Sequence, residues 1–283
     1  MDSKNTDLQI LKQFQGFQHT SLMLDELPES SISAFEEELI TTPIPLVSFP
    51  FEEARAFRYV GKRAEVFFWH QLELSQRYQD ILYSLQVIND TKTIGEFDFT
   101  CFDTLHEEML HIELVNKIYL YDKNLSDDPD YCWIGPNRKD RFEDKMNKLK
   151  SKQFPLLYHP EAETLLHQVN INPWAVKQKL CFKAILFLPE GCDTGFYLTN
   201  LNAVAGYFYT LEEFLNKKWQ HQSFDIVKKL NWFTDETQHN RWYSYTEILL
   251  QIESFMESKQ SVMLFRKDTQ GNIFKLFVVW WTH

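Results

Sequence analysis

Two stretches near the middle of the chain do most to limit its fold: TIGEFDFTCF over Thr93–Phe102 and EMLHIELVNKIYLY over Glu108–Tyr121. Both alternate apolar and polar residues at period two, the pattern of strands that bury one face. The turn residues Asn89-Asp90-Thr91-Lys92-Thr93 separate the first from a short apolar run, SLQVIN, so three consecutive strands can pair as hairpins. Upstream, Phe57, Val60, Ala64, Phe68 and Leu72 recur at spacings of three and four, which predicts a helix over about 52–82. Downstream come a polar, acidic loop from Asp122 to Asp130, the segment WIGPN, and a charged helix over about 138–152. The run KLCFKAILFLP at 179–189 follows as a fourth strand, apolar enough to be internal. Helix, three strands, helix, strand describes one α/β unit whose second helix serves as a crossover.

The flanking regions read differently. Residues 1–51 form a short N-terminal helix and an extended connection, the part from 28 to 50 rich in Pro, Ser and acids and ending in TTPIPLVSFP. In residues 190–283, Val204, Phe208, Leu211 and Leu215 mark one helix, and Trp242, Tyr245, Leu249, Ile252 and Met256 another. SVMLFRKD-TQGN-IFKLFVVWW reads as a β-hairpin with Gly271 in its turn. The expected organisation is therefore an α/β core over 52–189, preceded by 1–51 and followed by an α+β extension, 190–283, packed on it.

Composition excludes several classes. Hydrophobic residues at 44% and charged residues at 24% are those of a globular chain, not a disordered one. Only 8 glycines against 16% aromatics point to a dense core with few glycine-dependent loops. No repeat is visible, which excludes solenoids. Cys101, Cys132, Cys181 and Cys192 form no CxxC pair and read as free thiols of a reducing compartment. The start, MDSKNTDLQ, lacks a signal-peptide pattern, and no apolar run approaches the ~20 residues that span a bilayer. A cytoplasmic protein without a membrane partner is expected. The net charge of −11 weighs against nucleic acid as a partner, although residues 1–50 alone carry −6 of it.

The residues that can carry chemistry sit on the two long strands. Strict alternation places Phe97 and Phe99 on one face of the first and Glu96, Asp98 and Thr100 on the other. If the strands are neighbours, Asp98 and Glu113 lie close across the sheet. Two such carboxylates repel, and a divalent cation relieves the repulsion; Mg²⁺ (or Mn²⁺) suits a site with one or two carboxylates and several waters. Glu65, beside the apolar face of the first helix, is placed to reach the same cluster. A plainer reading makes Asp98 an exposed sheet residue, Glu113 the partner of Lys117 or an arginine, and Glu65 a solvated helix residue. The helix RKDRFEDKMNKLKSK holds seven basic residues against three acids. Asn137 as its N-cap, with Arg138, Lys139, Arg141, Lys148 and Gln153, offers the best surface for a nucleic-acid backbone; a solvated face with i,i+4 pairs is the alternative. His106 and His111 read as structural, and Trp280 and Trp281 as core or interface.

Glu65, then GEFDF, then HIELVNK resembles the PD-(D/E)XK superfamily of metal-dependent nucleases, in which a helical acid precedes a strand Asp and a strand Glu-x-Lys. The longer match GKRAEVFFW, GEFDF, HIELVNKIYLY and WIGPNRKDRFEDKMNKLKSKQFPL resembles a bacterial family classified only as a domain of unknown function. The superfamily resemblance implies a restriction-endonuclease-like core of mixed sheet flanked by helices. It also implies a Mg²⁺-dependent hydrolase of DNA or RNA with Glu65, Asp98 and Glu113 as metal ligands. The chain departs from the pattern where the lysine should stand, which is Val115. Lys117, four residues after Glu113, or Lys145 on the following helix is then the electrophilic helper. The alternative is a non-catalytic module that keeps the scaffold to bind nucleic acid or protein, alone or as a homo-oligomer.

Overall fold

Helix α1 (Ser3–Gln18) opens the chain and buries Ile10, Phe14 and Phe17 along one face. The computed structural model describes residues 3–38, 40, 49–192, 195–234 and 241–282, so most of the expected connection TTPIPLVSFP lies outside the described residues. The single helix expected over 52–82 is two helices and the start of a strand. Helix α2 (Phe51–Ala56) stops at Phe57, whose backbone is extended, and α3 (Val60–Leu74) stops at Ser75 for the same reason. Strand β1 (Tyr78–Asn89) then pairs with β2 (Lys92–Asp103) from Tyr78↔Asp103 to Asn89↔Lys92. The three-and-four spacing was real for α3, which buries Ala64, Phe67, Phe68 and Leu72. Past Leu74 a pairing partner decides the conformation, which local spacing does not register.

Strand β3 (Glu108–Tyr121) has the bounds that its alternation implies. The charged helix over 138–152 is shorter. Arg138 has φ +58 and Arg141 bridges Ile134 of β4 (Trp133–Ile134), so α4 runs only over Phe142–Lys148. A wide π-type turn, Leu149–Gln153, and a 3₁₀ turn, Phe154–Tyr158, extend it, and α5 (Pro160–Gln168) follows, a helix that the sequence reading had not placed. Strand β5 covers Val176–Pro189.

In the last third, the helix expected around Val204 and Phe208 is strand β6 (Val204–Thr210), parallel to a neighbour on each side. Helix α6 (Leu211–Leu215) begins only where Thr210 and Glu213 form a capping box. Strands β7 (Ser223–Val227) and β8 (Tyr243–Ser244), helix α7 (Tyr245–Glu257), and the hairpin β9 (Val262–Lys267) and β10 (Ile273–Val279) complete the chain. Gly271, at φ +89, makes the hairpin turn that L side chains resist.

The protein is mixed α/β, with a large mixed sheet and flanking helices, and it divides into two compact units. The smaller comprises Leu24–Asn116 and Asp144–Lys183, with strand order β1-β2-β3-β5. Its cluster of Val87, Phe97, Leu156, Leu157, Ala162 and Leu166 seats α5 and the preceding turns. The larger comprises Met1–Met23, Lys117–Glu143 and Ala184–His283. There β4 pairs with the end of β3, and β5-β6-β10-β9-β7-β8 follow in order. Segments 52–189 and 190–283 are therefore not the compact units. Pro136 and Asn137 bond to Trp281 and Ser261, which ties this middle segment to the C-terminal one. No helix among the described residues is long and apolar enough to cross a membrane.

Candidate active site

All the relevant carboxylates lie in the smaller unit. Strands β2 and β3 pair antiparallel from Asp103↔Glu108 to Phe99↔Ile112, and one step further the register sets Asp98 opposite Glu113. Here the ladder gives way to a side chain: Asp98 Oδ2 accepts the backbone N–H of Leu114 at 3.0 Å. The alternation that would put Phe97 and Phe99 on one face also breaks at this point. Phe97 packs with Leu156 and Leu166 and meets His111 edge-on, whereas Phe99 meets Phe68 of α3 and Tyr83. Across the ladder, Tyr83 pairs with Phe99 and Leu85 with Phe97, so Ser84 faces Asp98. Ser84 takes φ +57, a left-handed conformation unusual for serine in a strand. Backbone of this kind concentrates at functional sites.

Glu113 is fully buried, and both its oxygens are engaged. Oε1 lies 2.9 Å from His111 Nε2, and Oε2 accepts from the Gln153 amide. Gln153 Oε1 in turn accepts from Lys145 Nζ at 2.7 Å. His111 Nδ1 lies 3.1 Å from Gln178 Nε2, which also donates to the Phe154 carbonyl at 2.8 Å. The amide donor on Nδ1 assigns the histidine proton to Nε2, pointing at Glu113. Burial depresses the His111 pKa to about 4, so the ring is a neutral donor near pH 7. Gly95 belongs to this arrangement: a Cβ there would stand 2.5 Å from Leu156, so the glycine of GEFDF admits the 154–158 turn that follows Gln153.

The two acids are raised well above the carboxylate range. For Asp98 the larger cause is burial and the second is the charge of Glu113; the Leu114 N–H and the Lys145 charge oppose them. For Glu113 burial again dominates, against the charges of Lys145 and Lys148 and a hydrogen bond to Asp98. The charge of Glu113 thus opposes ionisation of Asp98, and burial opposes ionisation of both.

Glu65 of α3 occupies a neighbouring group rather than that pair. Its Oε2 is 2.7 Å from Lys62 Nζ, which is 3.6 Å from Glu96 Oε1, and Glu96 accepts from Ser84 Oγ at 2.8 Å. Burial raises Glu65, with the charges of Asp98 and Glu96 adding to it and Lys62 opposing. Burial works against the Lys62 ammonium, but Glu65, Glu96 and Asp98 outweigh it, and its pKa lies above the ordinary value. Lys62 is the residue the sequence reading missed; its place one turn before Glu65 on the same helix was the available signal. His111, read as structural, and Gln178 are likewise part of the Glu113 network.

The other expected residues fall elsewhere. Lys117 Nζ pairs with Asp140 at 2.5 Å in the larger unit. Lys145 takes the central place: its charge reaches both Asp98 and Glu113. Asn137 is not a helix cap, because α4 starts at Phe142; its Oδ1 accepts the Ser261 N–H at 3.0 Å. Arg138 pairs with Asp122 at 2.6 Å and covers the Trp281 ring, and Arg141 bonds to the Leu125 carbonyl and Glu143. Gln153 is turned to Glu113. Of the expected phosphate contacts only Lys139 and Lys148 are exposed.

Among the described residues no group of three or more His, Cys, Asp or Glu is arranged to hold a metal ion, so a trio of Glu65, Asp98 and Glu113 is not assembled. The pair Asp98 and Glu113 does fit a hard cation. A half-buried and a fully buried acid that repel are relieved by a divalent charge, and Mg²⁺ accepts two carboxylates with water for the rest.

What fold and site define is a mixed α/β protein in which a half-buried Asp98 and a fully buried Glu113 stand opposite each other, with Lys145 near both. The chain belongs to the family described as a domain of unknown function (DUF1853), whose profile matches residues 18–279. No curated protein and no solved structure matches the chain.

Proposed function

We propose that this protein is a metal-dependent nuclease that hydrolyses phosphodiester bonds of DNA or RNA, with a core of the PD-(D/E)XK type. The observation that carries the reading is the pair of half-buried Asp98 and buried Glu113, set opposite each other on adjacent strands with the charge of Lys145 near both. Asp98 and Glu113 would hold Mg²⁺ or Mn²⁺, which would polarise the phosphodiester and lower the pKa of an attacking water. Lys145 replaces the strand lysine missing at Val115 and stabilises charge that develops on phosphorus. Gln153 and His111 orient Glu113 by one hydrogen bond to each oxygen. Glu65 tunes the pair through Lys62 and does not bind the ion.

The test is cleavage of labelled single- and double-stranded DNA and RNA with Mg²⁺ or Mn²⁺, read for wild type, Asp98→Asn and Glu113→Gln. These near-isosteric variants keep the fold, which circular dichroism checks. Metal-dependent cutting that both variants lose is the expected result. One observation favours a second reading: both Glu113 oxygens already have partners, as a purely structural acid requires. No cutting of any substrate, with no metal binding by calorimetry, would leave that reading, a nuclease-type scaffold kept for binding.

A further inference from the structure

Large aromatic side chains are mostly buried in this protein, yet one pair in the smaller unit stands in water. Trp174 is 71% exposed and Tyr158 47% exposed, with ring centroids 5.1 Å apart and planes tilted by 34°. Among the described residues Trp174 is the tryptophan left most open, and its backbone is fixed. It lies in the 3₁₀ turn Pro173–Ala175, capped by Asn172 Oδ1 on its own N–H at 3.1 Å. Tyr158 ends the turn Phe154–Tyr158, and Gln178 ties the two segments together through the Phe154 carbonyl.

This platform is linked on both sides to the network around Glu113. Gln153, bonded to Glu113, precedes Tyr158 by five residues, about 10 Å at the 3₁₀ rise. Gln178, beside His111, follows Trp174 by four, at most about 13 Å of extended chain. The approach is basic: from Lys145 to Tyr158 there are four lysines and no acid. Lys148, Lys152 and Lys177 are exposed, while Lys150 is paired with Glu29. The nearest acids beyond it, Glu161 and Glu163, open α5, and Glu161 pairs with His159 at 2.6 Å.

We propose that Trp174 and Tyr158 stack on unpaired bases of a single-stranded nucleic acid, with Lys148, Lys152 and Lys177 along its phosphates, leading the strand to Asp98 and Glu113. This substrate preference rests on the nuclease reading. Bases of any sequence present a π-face, whereas a duplex hides its bases inside the stack, so the platform selects single strands without reading sequence.

The experiment is fluorescence anisotropy of labelled oligothymidylate and of a duplex of equal length on the full chain. It is run with metal chelated and again in Asp98→Asn, so that nothing is cut. The single strand binds more tightly than the duplex. Trp174→Ala weakens single-strand binding by roughly 5- to 100-fold, the usual span for losing one stacked base, and Trp174→Phe recovers most of it. Lys148→Ala and Lys152→Ala each lower the slope of log affinity against log salt by about 0.7. Single-strand binding unchanged in both Trp174→Ala and Tyr158→Ala overturns the platform. If wild type nevertheless cuts nucleic acid, the nuclease reading stands without it. If wild type cuts nothing but Trp174→Ala still loses the single strand, the platform stands and catalysis falls.

Discussion

Asp98 and Asp103 lie five residues apart on β2, the first half-buried and the second fully buried, and they are held in opposite states. Arg77 grips Asp103 with two hydrogen bonds, at 2.8 and 2.7 Å, and His106 adds a third contact at 2.9 Å. The Arg77 bond is the main cause that holds Asp103 far below the usual carboxylate range. Asp98 has a backbone N–H and a second acid instead, and burial pushes it up. One carboxylate is finished by its neighbours and closes the β2–β3 hairpin; the other is left needing positive charge. A buried acid with a bidentate arginine is architecture, and one beside another acid invites a cation or a proton.

Breaking the finished pair carries the largest effect. Arg77→Ala leaves Asp103 buried without its cation and should cost about 3–5 kcal/mol, measured by urea unfolding. Arg77→Lys keeps the charge, loses the fork, and should fall between that variant and wild type. Asp98→Asn should leave stability intact or improved and cut metal-dependent cleavage by about 10²–10³-fold. A fall in stability as large as that of Arg77→Ala would make the two aspartates equivalent and erase the contrast.

Metal should sharpen it. At 100 times its dissociation constant, Mg²⁺ stabilises wild type by about 2.7 kcal/mol in thermal unfolding, and Asp98→Asn should show little of this gain. The gain should grow with pH, because Asp98 and Glu113, both raised, must be deprotonated to bind the ion. Without metal, pH separates the aspartates with opposite sign. Asp103 is lowered in the fold, so its contribution is present above about pH 4, the unfolded value, and is lost as pH falls. Asp98 and Glu113 are raised, so the folded state keeps a proton that the unfolded chain has released. Stability therefore declines as pH rises from about 4 through their folded values. Melting of Asp98→Asn against wild type from pH 4 to 9 should show the variant gaining on wild type by a few degrees, the smallest effect here. Parallel curves would mean that the pair is not electrostatically strained.

How far local pattern carries is visible element by element. Strand β3 and the C-terminal hairpin were legible because period-two alternation and a Gly271 turn suffice to specify them. β6 was not: Val204, Phe208, Leu211 and Leu215 have helical spacing, but a parallel partner on each side makes the first two strand residues. β1 is legible only from SLQVIN onward; its start falls within the helix expected over 52–82, because its partner β2 lies across a turn. Asp98 and Glu113 were legible as facing acids from order and alternation. The reversal of Phe97 and Phe99 about Asp98, whose carboxylate takes the Leu114 N–H, was not, because alternation within one strand does not register what the neighbouring strands do.

By itself, then, the order of residues determined the strands whose pattern is local and the acids they carry. Only the tertiary structure decided which cation answers them. Lys117 is drawn to Asp140, and Lys145 reaches the pair through Gln153 because a wide turn follows α4. Alternation is a property of neighbours in the chain. The field at a carboxylate is a sum over charges brought close by folding, and Lys145 stands more than thirty residues from either acid in sequence.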